Sequence, residues 1–306
     1  MTATGTSPYP WIEYALLGVL ALLWGSSYLF IKVALVDLPP LTLIATRVGG
    51  AALLLSAVVV WRGYRFPRRR EAWIALLVQA FLNAIVPWTI LAWGQQYVDA
   101  ALAAVLNSTS PIFVLVFTAL VTRHETLGVA RVLGVALGIG GVVLIVGVGA
   151  LAGLGTQVAG QLACLFGAAL YGCAAIYSKR FSHQPPSVTA AGTMWWSVLI
   201  LVPAALWVDR PWTLSVSAQS AGAAMMLSIF CTGIALLLYF RLVNSIGSLG
   251  VASQAYLRSG LGVLLGIVLL GETLSPPVAI GLAATIAGVV LINMPGRNRR
   301  EADAIV

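Results

Sequence analysis

The chain has 306 residues, 60% of them hydrophobic and only 8% charged, with a formal net charge of +8. A soluble domain carries roughly 25% charged residues, and one this apolar would expose large greasy patches, so lipid is the expected solvent. The positive charge does not indicate nucleic acid, because the basic residues fall in short runs between apolar stretches with no basic face or interleaved stacking aromatics.

Ten apolar spans follow in chain order, at 12–34, 40–61, 73–95, 98–122, 126–149, 156–180, 186–208, 217–242, 246–271 and 275–294. Each is long enough as a helix to cross ~30 Å of hydrocarbon. Their continuous apolar character excludes a β-barrel, which needs ~10-residue segments of alternating polarity. Connections such as LPPL, VTRHETL, GSLG and GETLSPP leave little room for an extramembrane domain. The residues ahead of the first span lack a basic n-region and a cleavage motif, so no signal peptide is expected. Cys164, Cys173 and Cys231 fall inside spans without metal or CxxC spacing. They are expected to be inert buried thiols, and no metal or other cofactor is expected.

Polar groups deep in hydrocarbon are costly unless they pair or face water, so they mark candidate functional positions. In the first span Glu13 lies at the start, Trp24 and Tyr28 sit midspan, and Lys32 closes it. Lys32 either snorkels to headgroups or forms half of a gate with an acid on the same face. Arg47 in the second span has Asp37 as its candidate partner. The third span adds Gln79, Asn83, Pro87 and Trp88, with Asn83 and Pro87 on one face. The fourth carries Asn107-Ser108-Thr109-Ser110-Pro111. Pro111 frees a carbonyl near Asn107. That reads either as a distorted helix lining a cavity or as hydroxyls satisfied within their own helix.

Glu125 precedes the fifth span, whose Gly134 and Gly138 read as a close-packing face, as do Gly262 and Gly266 later. The sixth span has Tyr171 at its middle and Lys179 at its end; Trp195 and Trp196 lie in the seventh and Tyr239 in the eighth. Trp61, Trp73, Trp207 and Trp212 stand near span ends and read as interface anchors. The ninth span carries Gln254, Tyr256, Arg258 and Ser259. Arg258 stays charged and must find an anion, carbonyls or water; a bidentate grip on a substrate carboxylate and a purely structural role are both open. Glu272 opens the way to the tenth span, where a carboxylate complements a helix N-terminus or serves a gate. The candidate substrate-binding set is therefore Trp24, Tyr28, Asn83, Trp88, Asn107, Ser110, Tyr171, Tyr239, Gln254 and Arg258; the candidate gating set is Lys32, Glu125, Lys179 and Glu272.

Glu125-Thr126-Leu127 recurs as Glu272-Thr273-Leu274, an offset of 272 − 125 = 147. At the same offset Trp24-Gly25 maps onto Tyr171-Gly172, Lys32 onto Lys179, Pro39 onto Pro186, and GVVLI at 141–145 onto 288–292. One constant spacing over most of the chain marks an internal duplication, with halves expected at 1–150 and 151–306. Each half holds five spans. Five is odd, so the second copy is inverted in the membrane, an arrangement that secondary transporters use for alternating access with substrate at the repeat interface. Basic residues fix the expected orientation. The loops at 62–70, 123–131, 179–180 and 241 and the tail at 297–300 share one side, against Lys32 and Arg210 on the other. Both termini are expected in the cytoplasm.

WGSSYLFIK at 24–32, PPLTLIATR at 39–47, ALAAVLNSTSP at 101–111, YGCAAIYSKR at 171–180 and the ETL motifs resemble the drug/metabolite transporter superfamily. The likeness is to its ten-helix EamA-type carriers in particular, over about 15–294. Within the family the pattern is similar to YddG-like exporters of aromatic amino acids. One departure is that Pro111 faces Arg258 at the equivalent position of the second half. The resemblance implies an all-α membrane protein of ten helices in two inverted five-helix repeats, in a bacterial-type inner (plasma) membrane. It implies a secondary transporter exporting small organic metabolites, with amino acids of aromatic or apolar character foremost. A multidrug or cationic-compound exporter of the same family is the alternative. A membrane-embedded enzyme is disfavoured, because His124 and His183 sit in connections and no HExxH or P-loop occurs. A passive channel would leave a continuous polar stripe, and the inverted repeat argues against one. The expected partners are a small-molecule substrate and membrane lipid, with the protein as a monomer. All nine acids lie outside the spans or near their ends, so facilitated diffusion or exchange is expected over obligatory proton antiport.

Overall fold

The computed structural model describes residues 10–122, 129–151, 155–252 and 254–293. Ten helices fall on the ten spans. In the first half they are α1 (Pro10–Ala34), α2 (Pro40–Trp61), α3 (Arg70–Gly94), α4 (residues 100–122) and α5 (Val129–Leu151). In the second they are α6 (Thr156–Phe181), α7 (Pro186–Val208), α8 (residues 218–252), α9 (Gln254–Leu270) and α10 (Pro276–Asn293). Seven are long and apolar enough to cross a bilayer, and α5, α9 and α10 contain the shorter apolar stretches Val132–Ile145, Leu257–Leu270 and Pro276–Gly288.

Helix entry and exit follow local chemistry. Pro40 and Pro186 open α2 and α7 at positions where the missing N–H would have no partner in any case. One boundary departs from expectation. The GSLG segment, read as a connection, is helical, and α8 runs through to Ala252. Two glycines without a proline need not stop a helix, since each weakens it by only ~1 kcal/mol.

The helices pack as two related bundles. The pairs α2–α7, α4–α9 and α5–α10 cross between the halves, each pairing equivalent helices. The remaining major contacts come in matched sets: α1 on α9 with α6 on α4, and α1 on α8 with α6 on α3. This is the pattern of two inverted five-helix repeats about a pseudo-two-fold axis in the membrane plane.

Small residues make the close approaches. A Cβ added to Gly288 would lie 2.5 Å from the Gly134 carbonyl oxygen and 2.6 Å from the Gly138 nitrogen, so the α5 and α10 backbones touch. Gly25 meets the α9 backbone at the Arg258 carbonyl, and its repeat equivalent Gly172 meets the α4 backbone beside Phe113. With lipid as solvent, packing of this kind rather than the hydrophobic effect brings helices together. Trp61, Trp207 and Trp212 are exposed near helix ends, as anchors should be. Trp73 instead turns inward, donating its indole N–H to the Pro67 carbonyl at 2.8 Å and packing edge-on against Trp196.

Candidate functional site

A cavity of 960 Å3 lies between the two halves, and all ten residues of the substrate-binding set line it. Its walls come from both repeats: α1 to α4 from the first, α6 to α9 from the second. At one end its lining reaches Phe181 at the end of α6, Ser182 and Gln184 in the α6–α7 connection and Pro186 at the start of α7, with Val243 and Val251 of α8. No described residue of the connections 35–39, 95–99, 209–217 or 271–275 lines it. The cavity thus reaches the connections of one face, called here the near face, and stays clear of those described connections of the other, the far face.

Local irregularities in the helices aim polar groups into it. Residues Phe81–Ile85 of α3 form a π-helical turn around Asn83, and a second π segment, Met226–Ile234, occupies the equivalent part of α8. The first has a plain cause. Pro87 lacks the N–H that would bond Asn83 and its ring crowds that carbonyl, so the helix widens by one residue. In the second, the Thr232 hydroxyl donates to the Leu227 carbonyl at 2.7 Å, taking up a carbonyl that the wider turn releases. Helix α4 breaks at Ser108-Thr109, just ahead of Pro111, which has no N–H to donate to the Asn107 carbonyl. Both sequence readings of this stretch hold. The Ser108 and Thr109 hydroxyls donate to the Ala104 and Leu106 carbonyls, each at 2.6 Å, while Asn107 and Ser110 face the cavity. Asn107 donates to the Tyr28 hydroxyl at 2.7 Å rather than meeting its repeat equivalent Gln254. The carbonyl oxygens of Gln79, Asn107 and Gln254 are buried without a protein partner, and all three residues line the cavity.

Two guanidiniums share this space. The Arg258 guanidinium lies 5.9 Å from the Trp24 ring centre, and its Nε is buried without an acceptor. Trp24 is itself packed 5.5 Å from Tyr239. Arg47 does not pair with Asp37. It is 6% exposed, stacks 3.9 Å over Trp88 and donates from Nε to the Thr232 hydroxyl at 2.9 Å. Asp37 instead accepts from the hydroxyl and the backbone N–H of Ser217, which begins α8. Sequence reasoning therefore missed Arg47 as a cavity residue. The signal was its depth: seven residues into α2 is two turns, or ~10 Å, below the helix start.

The far face is held by groups that cross the seam. Asp209, at the end of α7, accepts from the Thr42 N–H at 2.7 Å and the Thr42 hydroxyl at 2.8 Å at the start of α2. Glu272 accepts from the Ala100 and Ala101 N–H groups at 2.7 and 2.8 Å. Glu272 thus serves a helix N-terminus, but that of α4 in the other half rather than α10, the helix it precedes. Gly271 is the cause: its φ of +67° ends α9 in a left-handed turn that a side chain would resist. That turn throws the next residue back onto α4. Lys32 does not snorkel and meets no acid among the described residues. Its ammonium donates to the Gln95 and Val98 carbonyls at 2.9 and 2.8 Å, on the same α3–α4 turn. Lys179, the repeat equivalent, is exposed at the near face. Glu125 lies outside the described residues. At that face Glu13 is buried in an ion pair with Arg241 at 3.1 Å and accepts from Ser245 at 2.8 Å. Cys164 and Cys231 are buried free thiols and Cys173 a half-buried one.

The EamA-like transporter family model matches residues 11–147 and 158–294, two copies displaced by 158 − 11 = 147. The chain is 28% identical over 284 residues to the uncharacterized inner membrane transporter YedA of Escherichia coli (strain K12), covering 92% of this chain and 90% of that protein. It is 28% identical over 293 residues to the uncharacterized transporter YvbV of Bacillus subtilis (strain 168), covering 94% and 93%. An uncharacterized transporter of Archaeoglobus fulgidus is 28% identical over 284 residues, covering 91% and 96%. One solved crystal structure superposes with a TM-score of 0.64 at 22% identity over 90% of this chain and 94% of that one, a likeness of fold.

Proposed function

The chain belongs to the EamA-like transporter family, a membrane transporter, and from that premise we propose that it exports small organic metabolites by alternating access. Cargo passes along the seam between halves 1–150 and 151–306, in an inner membrane, with both termini cytoplasmic. The observation that carries this reading is the 960 Å3 cavity walled by both repeats, whose lining reaches the connections of one face and none of the described connections of the other. In this orientation the near face is the cytoplasmic one, as loading for export requires. Carboxylated compounds with an aromatic or apolar body, amino acids among them, are the cargo. Arg258 takes the carboxylate, and Trp24, Tyr28, Trp88, Tyr171 and Tyr239 take the body. Asn83, Asn107, Ser110 and Gln254 supply hydrogen bonds. Lys32 and Glu272 act as the far gate, and Lys179 and Glu125 as its counterpart at the near face. The aromatic walls would also suit an organic cation, as a drug exporter needs, but two guanidiniums stand against that alternative.

Purified protein in liposomes, offered labelled amino acids, sugars and cationic drugs, tests the proposal. Arg258→Met is expected to weaken carboxylated substrates selectively. Equal loss for neutral and carboxylated compounds would remove the anion contact, and no uptake of any compound would remove the transport reading.

A further inference from the structure

The cavity holds two permanently charged cations and, among its described lining, no acid. Arg47 comes from α2 and Arg258 from α9. They are not a symmetry pair: at the offset of 147, Arg47 faces Met194 and Arg258 faces Pro111. Each guanidinium has an indole beside it, Trp88 for Arg47 and Trp24 for Arg258. Stacking of this kind covers the apolar face of a guanidinium and leaves the N–H edge for an acceptor. The one hydrogen bond found for Arg47 among the described residues uses Nε, and Arg258 Nε has no partner. Tyr171 lines the same cavity as both guanidiniums.

A buried guanidinium without a counter-charge is costly, and two in one low-dielectric space repel each other besides. No described residue supplies a carboxylate to the cavity, so the compensating charge is left to water, small ions or cargo. A zwitterionic amino acid brings one carboxylate and one ammonium; it satisfies one arginine and leaves the pair's net charge unchanged. A cation adds a third positive charge. A molecule with two acidic groups meets both forks and cancels both charges. From this we propose that the cavity takes net-anionic organic molecules with two acidic groups, one held by Arg47 and one by Arg258, joined by an apolar or aromatic body against Trp24 and Trp88. The free carbonyl oxygens of Gln79, Asn107 and Gln254 accept any N–H or O–H that body carries. The proposal rests on the transport reading above and narrows its cargo.

The test pairs ligand binding with transport. In detergent, melting of the purified protein is followed with glutarate, adipate, phthalate, phenylalanine and phenethylammonium. In liposomes, uptake of the same compounds is followed with the membrane potential clamped by valinomycin and potassium. Dicarboxylates are expected to stabilise the protein and to be taken up faster under an inside-positive potential. Arg47→Gln and Arg258→Gln should each weaken dicarboxylates roughly tenfold or more while changing phenethylammonium little. Arg47→Lys, which keeps the charge but loses the fork, should fall between and carries the test should the glutamine variant fail to fold. Uptake of phenylalanine or phenethylammonium with no response to dicarboxylates would overturn the anion proposal and leave transport standing. Stabilisation by dicarboxylates that is lost in Arg47→Gln, without uptake of anything, would keep the anion site and remove transport. No stabilisation and no uptake would remove both.

Discussion

Glu272→Gln is the sharpest probe of the far face. Its carboxylate accepts two backbone N–H groups at 2.7 and 2.8 Å at the first turn of α4, which belongs to the other half. A hydrogen bond to a charged acceptor is worth ~1.5–3 kcal/mol, and a negative charge at a helix N-terminus up to ~2 kcal/mol when partly buried. Glutamine keeps one acceptor oxygen but sets an NH2 donor against the second N–H and removes the charge. The closed arrangement should lose about 2–3 kcal/mol, whereas an open one, with the side chain in water, loses almost nothing. At tenfold per ~1.4 kcal/mol, the closed-to-open ratio at that face should fall about 30- to 150-fold. The assay is access. In a protein with Cys164, Cys173 and Cys231 replaced by serine, a single cysteine at Asn83 on the cavity wall is labelled by an impermeant maleimide applied from the far side. Glu272→Gln should speed labelling by more than tenfold, and Lys32→Gln should act in the same direction by freeing the Gln95 and Val98 carbonyls. If the variant melts several degrees lower yet shows unchanged labelling from the far side, Glu272 only caps α4 and the gating argument fails.

Asp37 offers a pH signature outside the spans. Its carboxyl is held below the usual carboxylate value, first by the Ser217 hydroxyl, then by Ser220 and the Ser217 N–H. A depressed folded value means stability that is present above the unfolded value and lost as pH falls through the folded one. The melting difference between wild type and Asp37→Asn should be full at neutral pH and vanish in acid; a difference constant to pH 2 would refute it. Gly141→Ala puts a Cβ 2.5 Å from the Gly281 carbonyl oxygen, so α5 and α10 must part. About 1–3 kcal/mol of destabilisation is expected, read as a lower melting temperature, and an unchanged one would show that this seam yields freely. Replacing Glu13 and Glu125 by glutamine should leave no proton-driven component to lose, because no described acid lines the cavity. Loss of pH-driven uptake in vesicles would establish proton coupling instead.

The ten spans and their duplication were legible because lipid leaves little choice: a backbone in hydrocarbon must satisfy itself, and continuous apolar runs of this length do so only as helices. The cavity set was legible for the same reason, since Asn83, Asn107, Gln254 and Arg258 had nowhere inexpensive to go but a shared polar space. What stayed hidden were partnerships between distant segments. Asp37 was Arg47's neighbour in sequence, yet the start of α8 reaches Asp37 first, and Arg47 points down its helix to Trp88 and Thr232. Glu272 reads locally as the acid before α10, because nothing in GETL tells that the left-handed Gly271 turns the chain toward α4. The α8–α9 boundary was misplaced because glycines weaken a helix only by ~1 kcal/mol each, which packing readily overrides.

The duplication also shows where the halves have parted, and those positions fall on the far-face contacts and in the cavity. At the offset of 147, Asp37 faces Gln184 and Asp209 faces Arg62. Two of the three carboxylates that lock helix starts across the far seam therefore have an amide and a cation in their places on the near face. A guanidinium repels a helix N-terminus, and a neutral amide binds it more weakly than a carboxylate does. Two inverted copies of one module would close either face equally well. These copies carry unequal latches, and under the proposed alternating access they favour closure of the far face, in keeping with a cavity whose lining reaches only the near-face connections among those described. Arg47 against Met194 and Arg258 against Pro111 break the symmetry in the middle of the membrane in the same way. Under the proposed mechanism a symmetric scaffold would supply the rocking geometry, and the preferred resting state and the charge of the cavity would come from four positions where the copies disagree.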